Sequence, residues 1–263
     1  MKPLVSIIVP TRNSERTLDA CLRSIGEQSY DNIELIVVDR FSTDETKRIA
    51  RKYTKNIDET GPERCTQRNL GAKMATGEYL LFIDSDMVLS KNVVKECIEK
   101  QFEQPNTKGI VIPEESFGEG LWAQCKRLER SFYVGVPAVE AARFYPRSVF
   151  EQLAGFNENL IAGEDWDLSD RAEELGTLSR IDALIYHDEG RISLLKTMQK
   201  KFYYSSHADN YFEHTKGVTT NTKRHIGGFG RYFLYFAHPI RLFKNPFLGI
   251  MMLYMKTCEF AAG

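Results

Sequence analysis

Three stretches of this 263-residue chain place acids where acids can do chemistry: Asp39, Asp84-Ser85-Asp86, and Glu164-Asp165-Trp166-Asp167. The middle one closes an apolar run, Tyr79–Ile83, bounded on its other side by Gly77. Such a run reads as a strand buried on both faces. Side chains at i and i+2 of an extended segment point to one side, so Asp84 and Asp86 are expected to face one spot. At the carboxyl end of a strand in an open α/β sheet, that spot is the ligand crevice. Two carboxylates meeting there repel each other unless a cation lies between them. Hard oxygen ligands suit Mg2+ or Mn2+, which fill their other positions with water and phosphate oxygens. The pair therefore reads as a metal–diphosphate site, and the competing reading is a plain Asp-Ser-Asp turn.

The acids after Gly163 open a helix whose apolar pattern is Trp166, Leu168, Ala172 and Leu175. Acids in a first turn complement the helix dipole by about 0.3–1 kcal/mol each. One of them could instead take a proton from a hydroxyl. Residue type and spacing do not separate Glu164, Asp165 and Asp167 in that role. His187 ends the apolar run Ala183–Tyr186, a position where a histidine commonly serves the fold.

The elements that must position these groups follow from periodicity. Leu4–Val9 is a first buried strand, stopped by Pro10 and followed by Thr11, Arg12 and Asn13. Leu18, Cys21, Leu22 and Ile25 then recur at helical spacing. Ile33–Val38 is a second strand ending in Asp39, and Ser42 with Glu45 has the form of a capping box opening a helix to about Tyr53. A helix over Arg64–Met74 leads into the third strand, and residues 109–113 form another. Strand–helix alternation at this spacing means parallel pairing. Thr11, Asp39 and Asp84 then close three strands at one edge of the sheet. Neither G-x-G-x-x-G after the first strand nor G-x-x-x-x-G-K-[ST] occurs, so side chains and a metal must hold any nucleotide phosphates.

LVSIIVPTRN, IELIVVDRFSTDET, CTQRNLGAKMATGEYLLFIDSDM and AGEDWDLSDRAEELG, in that order over residues 4–190, resemble the inverting family-2 glycosyltransferases with a GT-A fold. The resemblance implies a nucleotide-sugar donor and a DxD metal motif binding Mn2+ or Mg2+. It sets Pro10, Thr11 and Arg12 against base and ribose, Asp39 on the base, and Arg68 near the nucleotide. It gives Asp84 the ribose or the metal's waters, Asp86 the metal, and Asp165, beside Glu164, the acceptor hydroxyl. His187 resembles a histidine that completes the metal site in several GT-A enzymes. Each residue has a plainer reading: Thr11 as a helix cap, Asp39 as a helix-start acid, Arg68 on a solvated helix face. The family's common Asp-Gly-Ser is here Arg40-Phe41-Ser42, and its Gly-Gly-Phe-Asp-Glu is Ala154-Gly155-Phe156-Asn157-Glu158.

Composition agrees with an α/β domain carrying an appendage: 42% of residues are apolar and 27% charged. From Glu189 onward there are 11 Lys/Arg against 4 Asp/Glu, and before it 24 against 32. Residues 1–190 are therefore expected to form the catalytic domain, its donor half about 1–108 and its acceptor half about 109–190. Residues 191–263 form a helical, basic and aromatic tail. The five scattered cysteines show no C-x-x-C spacing and suit reduced thiols of a cytoplasmic protein. Leu4–Val9 is too short for a signal-peptide core. The longest uncharged stretch of the tail, Asn245–Met255, falls well short of the ~20 residues of a membrane span. Basic and aromatic residues around it suit peripheral contact with the inner face of an anionic membrane, with a glycan or polyprenyl-linked acceptor, or else a homodimer face. No RNP-type or OB-like strand pattern accompanies them, so no nucleic-acid partner is expected. The rival classes are a non-catalytic nucleotide- or glycan-binding module on this scaffold and a nucleotidyltransferase, which would need a Gly-rich loop where Pro-Thr-Arg-Asn stands.

Overall fold

The computed structural model describes residues 2–205 and 228–262. Its elements in chain order begin β1 (Val5–Thr11), α1 (Leu18–Gly26), β2 (Ile33–Asp39), α2 (Thr46–Ala50), β3 (Ile57–Glu59), α3 (Arg64–Met74) and β4 (Tyr79–Phe82). Then come β5 (Met87–Leu89), α4 (Val93–Glu103), β6 (Thr107–Val111), β7 (Glu114–Glu119), α5 (Gly120–Ser131), β8 (Ala142–Pro146) and α6 (Arg147–Gln152). The described chain closes with α7 (Glu164–Leu175), β9 (Thr177–Arg180), β10 (Ile185–Arg191), α8 (Leu194–Ser205), α9 (Gly228–Phe236), α10 (Pro239–Phe243) and α11 (Pro246–Ala262).

These elements form two compact units, Met1–Pro113 with Ala141–Tyr186, and Glu114–Glu140 with His187–Gly263. Composition alone drew the line near residue 190. The chain in fact leaves the first unit at Pro113 and returns at Ala141, so β7 and α5 belong with the C-terminal helices.

The first unit is built on a seven-stranded sheet of order β3-β2-β1-β4-β8-β6-β9. Pairing is parallel except for β8, which runs against both β4 and β6. Every residue of β1 is buried, and alternation divides its side chains between two cores. Val5, Ile7 and Val9 join Leu18, Cys21 and Leu22 of α1 on one face. Ile8 points to the other, with Ile36, Val38, Leu80 and Phe82. The register sets Thr11 opposite Asp39, so both strand ends reach the same edge.

Two local expectations fail. The Ser42–Glu45 capping box does not form: the hydroxyl of Ser42 donates to Asp39 Oδ1 at 2.6 Å, and α2 begins only at Thr46. Asp39, being buried, takes the hydroxyl that the helix would otherwise have used. Asp84-Ser85-Asp86 is not extended either. β4 ends at Phe82, and the Met87 amide donates to the Asp84 carbonyl at 3.0 Å, which closes a turn over the acids. The i, i+2 argument that aimed both carboxylates at one point therefore does not apply.

In the second unit, α5 packs with the tail helices around Cys125, Phe132, Tyr235, Leu242, Met252 and Met255. Part of the dense aromatic content of the tail is thus core.

Gly71 fixes how closely α3 approaches the sheet. A Cβ there would lie 2.4 Å from Ile8 Cγ2, inside a buried strand that cannot yield. Gly71→Ala is expected to lower the unfolding free energy by about 1–3 kcal/mol, the usual cost of overpacking. Urea unfolding followed by circular dichroism measures it.

Candidate active site

The segment Gln67-Arg68-Asn69 on α3 ties the sheet edge together, one side chain per task. Gln67 donates from Nε2 to the carbonyls of Thr11 (2.9 Å) and Val38 (2.6 Å), which joins the ends of β1 and β2. Asn69 exchanges hydrogen bonds with the backbone of Phe156, at 2.9 Å in each direction. Arg68 lies between them with no exposed surface and meets three carboxylates. Its Nη2 donates to Asp84 Oδ1 at 2.7 Å, while Nη1 donates to Asp165 Oδ1 at 2.7 Å and Glu164 Oε1 at 3.3 Å. Its guanidinium also lies 5.1 Å from the centre of the Phe156 ring, a cation–π distance.

Two further arginines complete the charge balance: Arg64 reaches Glu164 at 3.0 Å, and Arg143 reaches Asp84 at 3.5 Å. Three guanidiniums thus face three carboxylates. Burial acts to raise the Asp84 carboxyl, but Arg68, Arg143 and Arg64 outweigh it and hold that carboxyl well below the usual range. Glu164 goes the other way: burial and then the Asp165 charge raise it, against Arg64 and Arg68. Arg68 stays firmly charged, because Asp165, Asp84 and Glu164 together overcome its own burial.

The three acids of α7 are no longer equivalent. Glu164, 4% exposed, is sealed between Arg64 and Arg68. Asp167, 7% exposed, is clasped by Arg171, which also donates to the carbonyls of Leu153 and Gly155. Asp165 is 31% exposed. Among the described residues only Arg68 donates to its carboxylate, through Oδ1.

The donor-side residues lie along the edge where β1 and β2 end. Pro10, Thr11 and Asp39 are buried, and Arg12 is exposed. Asp39 accepts from Thr11 Oγ1 at 2.9 Å, from Ser42 Oγ at 2.6 Å and from the Ser42 amide at 2.7 Å. Thr11 therefore does not cap α1, which starts at Leu18. Phe41, standing where the family commonly has Gly, has φ +48° and is 63% exposed. Bulky residues rarely adopt that left-handed conformation.

Arg68 differs from one of its two expected readings. It does not lie on a solvated face: it is buried, and its Nη1 and Nη2 are engaged by acids inside the fold. Gln67, Asn69, Gly71, Arg64 and Arg143 went unassigned in the sequence. For Gln67, Asn69 and Gly71 the signal was present only as the Q-R-N-x-G spacing on one helix; Arg64 and Arg143 lie outside it.

Asp84 is neutralised by arginines rather than awaiting a cation. Asp86, the second hard oxygen donor of the pair, is half-buried in the turn. Among the described residues no group of three His, Cys, Asp or Glu side chains could cage a metal by itself. The donor set fits a cation shared with a diphosphate, since Mg2+ is commonly held by one or two carboxylates together with phosphate oxygens. His187 begins the second unit, and its Nδ1 lies 2.8 Å from Arg130 Nη2. A guanidinium can only donate, so the one lone pair of neutral His187 is engaged by Arg130.

A mostly parallel sheet flanked by helices, with acids and a turn at its carboxyl edge, is the architecture of GT-A-like glycosyltransferases. The sequence profile described as "Glycosyl transferase family 2" matches residues 6–150, and the chain belongs to that family. It is 38% identical over 103 residues to the poly(ribitol-phosphate) beta-N-acetylglucosaminyltransferase TarS of Staphylococcus aureus, a match covering 35% of this chain and only 18% of TarS. A PGL/p-HBAD biosynthesis glycosyltransferase of Mycobacterium bovis is 30% identical over 183 residues, covering 64% of this chain and 69% of that protein. Among solved structures, the Pyrobaculum calidifontis mannosyltransferase PcManGT in complex with GDP-Man and Mn2+ aligns with TM-score 0.59 and 17% identity, over 100% of this chain and 76% of that one. Residues 1–349 of TarS in complex with UDP-GlcNAc align with TM-score 0.54 and 18% identity, over 98% and 89%.

Replacing Arg68 by Met leaves three acids facing only Arg64 and Arg143. The expected loss of stability near neutral pH is about 3–5 kcal/mol, the scale for breaking a buried ion pair. Asp84 is depressed in the folded state, so the contribution of Arg68 is complete above the ordinary carboxyl value of 3.8 and fades as pH falls below it. Urea unfolding at pH 7 and pH 3 should show the gap between wild type and Arg68→Met narrowing in acid.

Proposed function

We propose that the chain moves a sugar from a nucleotide-diphosphate donor to a hydroxyl acceptor, with inversion at the anomeric carbon. The carrying observation is the asymmetry among the acids of α7: Glu164 and Asp167 are locked in buried ion pairs, while Asp165 keeps a partly exposed carboxylate that Arg68 orients. Solved neighbours of the same fold that hold UDP-GlcNAc or GDP-Man support the donor class.

In the reaction the acceptor oxygen bonds to the anomeric carbon as its proton passes to Asp165. The bond from that carbon to the diphosphate oxygen breaks, and its electron pair leaves with the nucleoside diphosphate. Attack opposite the leaving group inverts the carbon. Arg68 engages Asp165 Oδ1, which leaves Oδ2 to accept the proton. Because the guanidinium is itself buried and held by Asp84, the carboxylate is aimed before substrate arrives. Pro10, Thr11 and Asp39 shape the donor side by fixing the backbone, and Arg12 contacts the donor. A divalent cation, Mn2+ or Mg2+, held by Asp86 and the diphosphate would supply charge neutralisation for the leaving group.

A panel of UDP-, GDP- and dTDP-sugars, scored by thermal shift with and without Mn2+, identifies the donor. Asp165→Asn should bind that donor like wild type yet transfer sugar about 100-fold more slowly or worse, the usual scale for general-base help. Asp86→Ala should lose the Mn2+-dependent part of donor binding. Donor binding without turnover in wild type would favour the non-catalytic module instead.

The second unit supports peripheral contact with an anionic bilayer. No helix among the described residues is long and apolar enough to cross a membrane. On α9–α11, Ile240 is 88% exposed and Phe233 78%, with Phe236, Phe243, Phe247 and Ile250 also exposed. Exposed Lys200, Arg241 and Lys244 add the matching charge. An apolar ridge with a basic flank is how a segment lies in a lipid interface, and a lipid-linked acceptor would be met there. The protein should float with vesicles containing anionic lipid, and raised salt should weaken that binding without abolishing it. Ile240→Asp should remove the salt-resistant part. A dimer that survives salt and ignores vesicles would assign the same ridge to a second copy.

A further inference from the structure

The second unit contains a cavity of about 490 Å3 lined by seven Lys/Arg and three Glu side chains. The glutamates are already committed. Glu129 pairs with Lys126 and Lys256, Glu259 pairs with the same two lysines, and Glu189 accepts from Ser116 and faces Arg130. Five lining cations are left over: Arg191, Lys196, Lys200, Lys201 and Arg231. None has a carboxylate partner among the described residues.

Lys201 and Arg231 decide what the cavity is for, because both are half-buried rather than waving in solvent. Burial pushes the Lys201 ammonium down, and the neighbouring charges of Arg231 and Lys256 push it further. Arg231 is held over the Tyr133 ring, 5.4 Å from its centre. Lys201 comes from α8 and Arg231 from α9, so folding itself gathers like charges from separate helices. Like charges so gathered destabilise a fold unless an anion joins them. On the rim, exposed Lys196 and Lys200 are one turn apart on α8, on the same helix face.

We propose that this cavity binds the phosphate or diphosphate group of an ester ligand. A surplus of several positive charges calls for a multivalent anion rather than a single carboxylate. A guanidinium with ammonium groups is the set that phosphate oxygens take, the first by a planar fork and the second as point charges. The volume lies within the about 300–1,000 Å3 typical of small-ligand sites and admits a diphosphate with part of its ester. The inference deepens the transfer reaction proposed above and rests on it for one thing, the ligand's owner, which is then a phosphorylated acceptor. The site itself stands on the second unit alone.

The test is inorganic pyrophosphate, titrated by thermal shift without metal into wild type, Asp86→Asn and the double variant Lys200→Gln/Lys201→Gln. Stabilisation should be equal in wild type and Asp86→Asn and weaker by about tenfold or more in the double variant, the scale of a lost charge-assisted bond. Lys201→Arg should retain it. Without ligand the double variant should melt no lower than wild type, since repulsion is what it removes; a purely structural pair of lysines would predict the opposite. The proposal is overturned if pyrophosphate does not stabilise wild type, or if Asp86→Asn abolishes the effect while the double variant keeps it. Nucleotide-sugar binding, read in the same double variant, should be unchanged, so a failed donor assignment and a failed phosphate site give different results. Capture on phosphatidic-acid vesicles that pyrophosphate competes away would assign the phosphate to a lipid headgroup. Pyrophosphate binding without such competition would assign it to a soluble ester, and either supports the site.

Discussion

A guanidinium with no exposed surface has to be neutralised where it lies, and Arg68 sets that condition for the catalytic unit. Desolvating an ion costs several kcal/mol even after relaxation. The cost is met only if carboxylates come to Arg68 from other parts of the chain. Asp84 comes from just past the end of β4, 16 residues further along the chain, and Glu164 and Asp165 from the start of α7, 96 and 97 residues further along. Those two points are therefore fixed to each other through α3. The neighbours serve the same end: Gly71 lets α3 lie close on β1, Gln67 binds the strand ends, and Asn69 holds the loop before α7. The geometry of this edge is a consequence of where one buried cation finds its anions.

The scaffold was readable because burial on both faces writes itself as uninterrupted apolar runs. Leu4–Val9, Ile33–Val38 and Tyr79–Ile83 became β1, β2 and β4 with little shift at their ends. α3 was placed at its observed bounds, Arg64–Met74. What periodicity cannot carry is the partner of a polar side chain. Ser42 and Glu45 have capping-box spacing, yet Asp39 three residues earlier competes for the same hydroxyl and wins it from inside the fold. Asp84 and Asp86 looked like an unpaired couple because the arginines that meet Asp84 lie elsewhere in the chain, and the turn over the acids is a matter of one backbone hydrogen bond. The boundary at Pro113 was invisible for a related reason: β7 and α5 have ordinary composition, and only their contacts place them with the C-terminal helices.

The acids of α7 show how tertiary pairing resolves what a local pattern leaves open. All three sit in a first turn, where the helix dipole favours each of them about equally. Successive helical positions differ by about 100° in direction, so neighbours that meet the same Arg68 nitrogen can still differ in exposure. Gly163, at φ +78°, turns the chain sharply into the helix and sends residue 164 inward. Residue 165 meets Arg68 while keeping part of its surface exposed, and residue 167 is held by Arg171, which also clamps the loop at Leu153 and Gly155. One carboxylate is left both oriented and accessible, a combination that neither a buried ion pair nor a solvated surface acid possesses.

The same logic, applied to the second unit, separates charges that the sequence presents as a single basic tail. Lys126, Lys256, Glu129 and Glu259 form a closed buried set, two cations and two anions from α5 and α11. Arg130 is spent on Glu114 and Glu189. Arg241 donates to the Ser131 carbonyl and lies against Phe132, so it braces α5 even though it remains exposed. Once these are subtracted, the remaining cations are not spread evenly. Five of them, Arg191, Lys196, Lys200, Lys201 and Arg231, line one cavity. A solvated basic surface would gain nothing from bringing Lys201 and Arg231 together in partial burial, and a membrane-facing one would keep them outside. Their convergence is what the proposed anion site would account for.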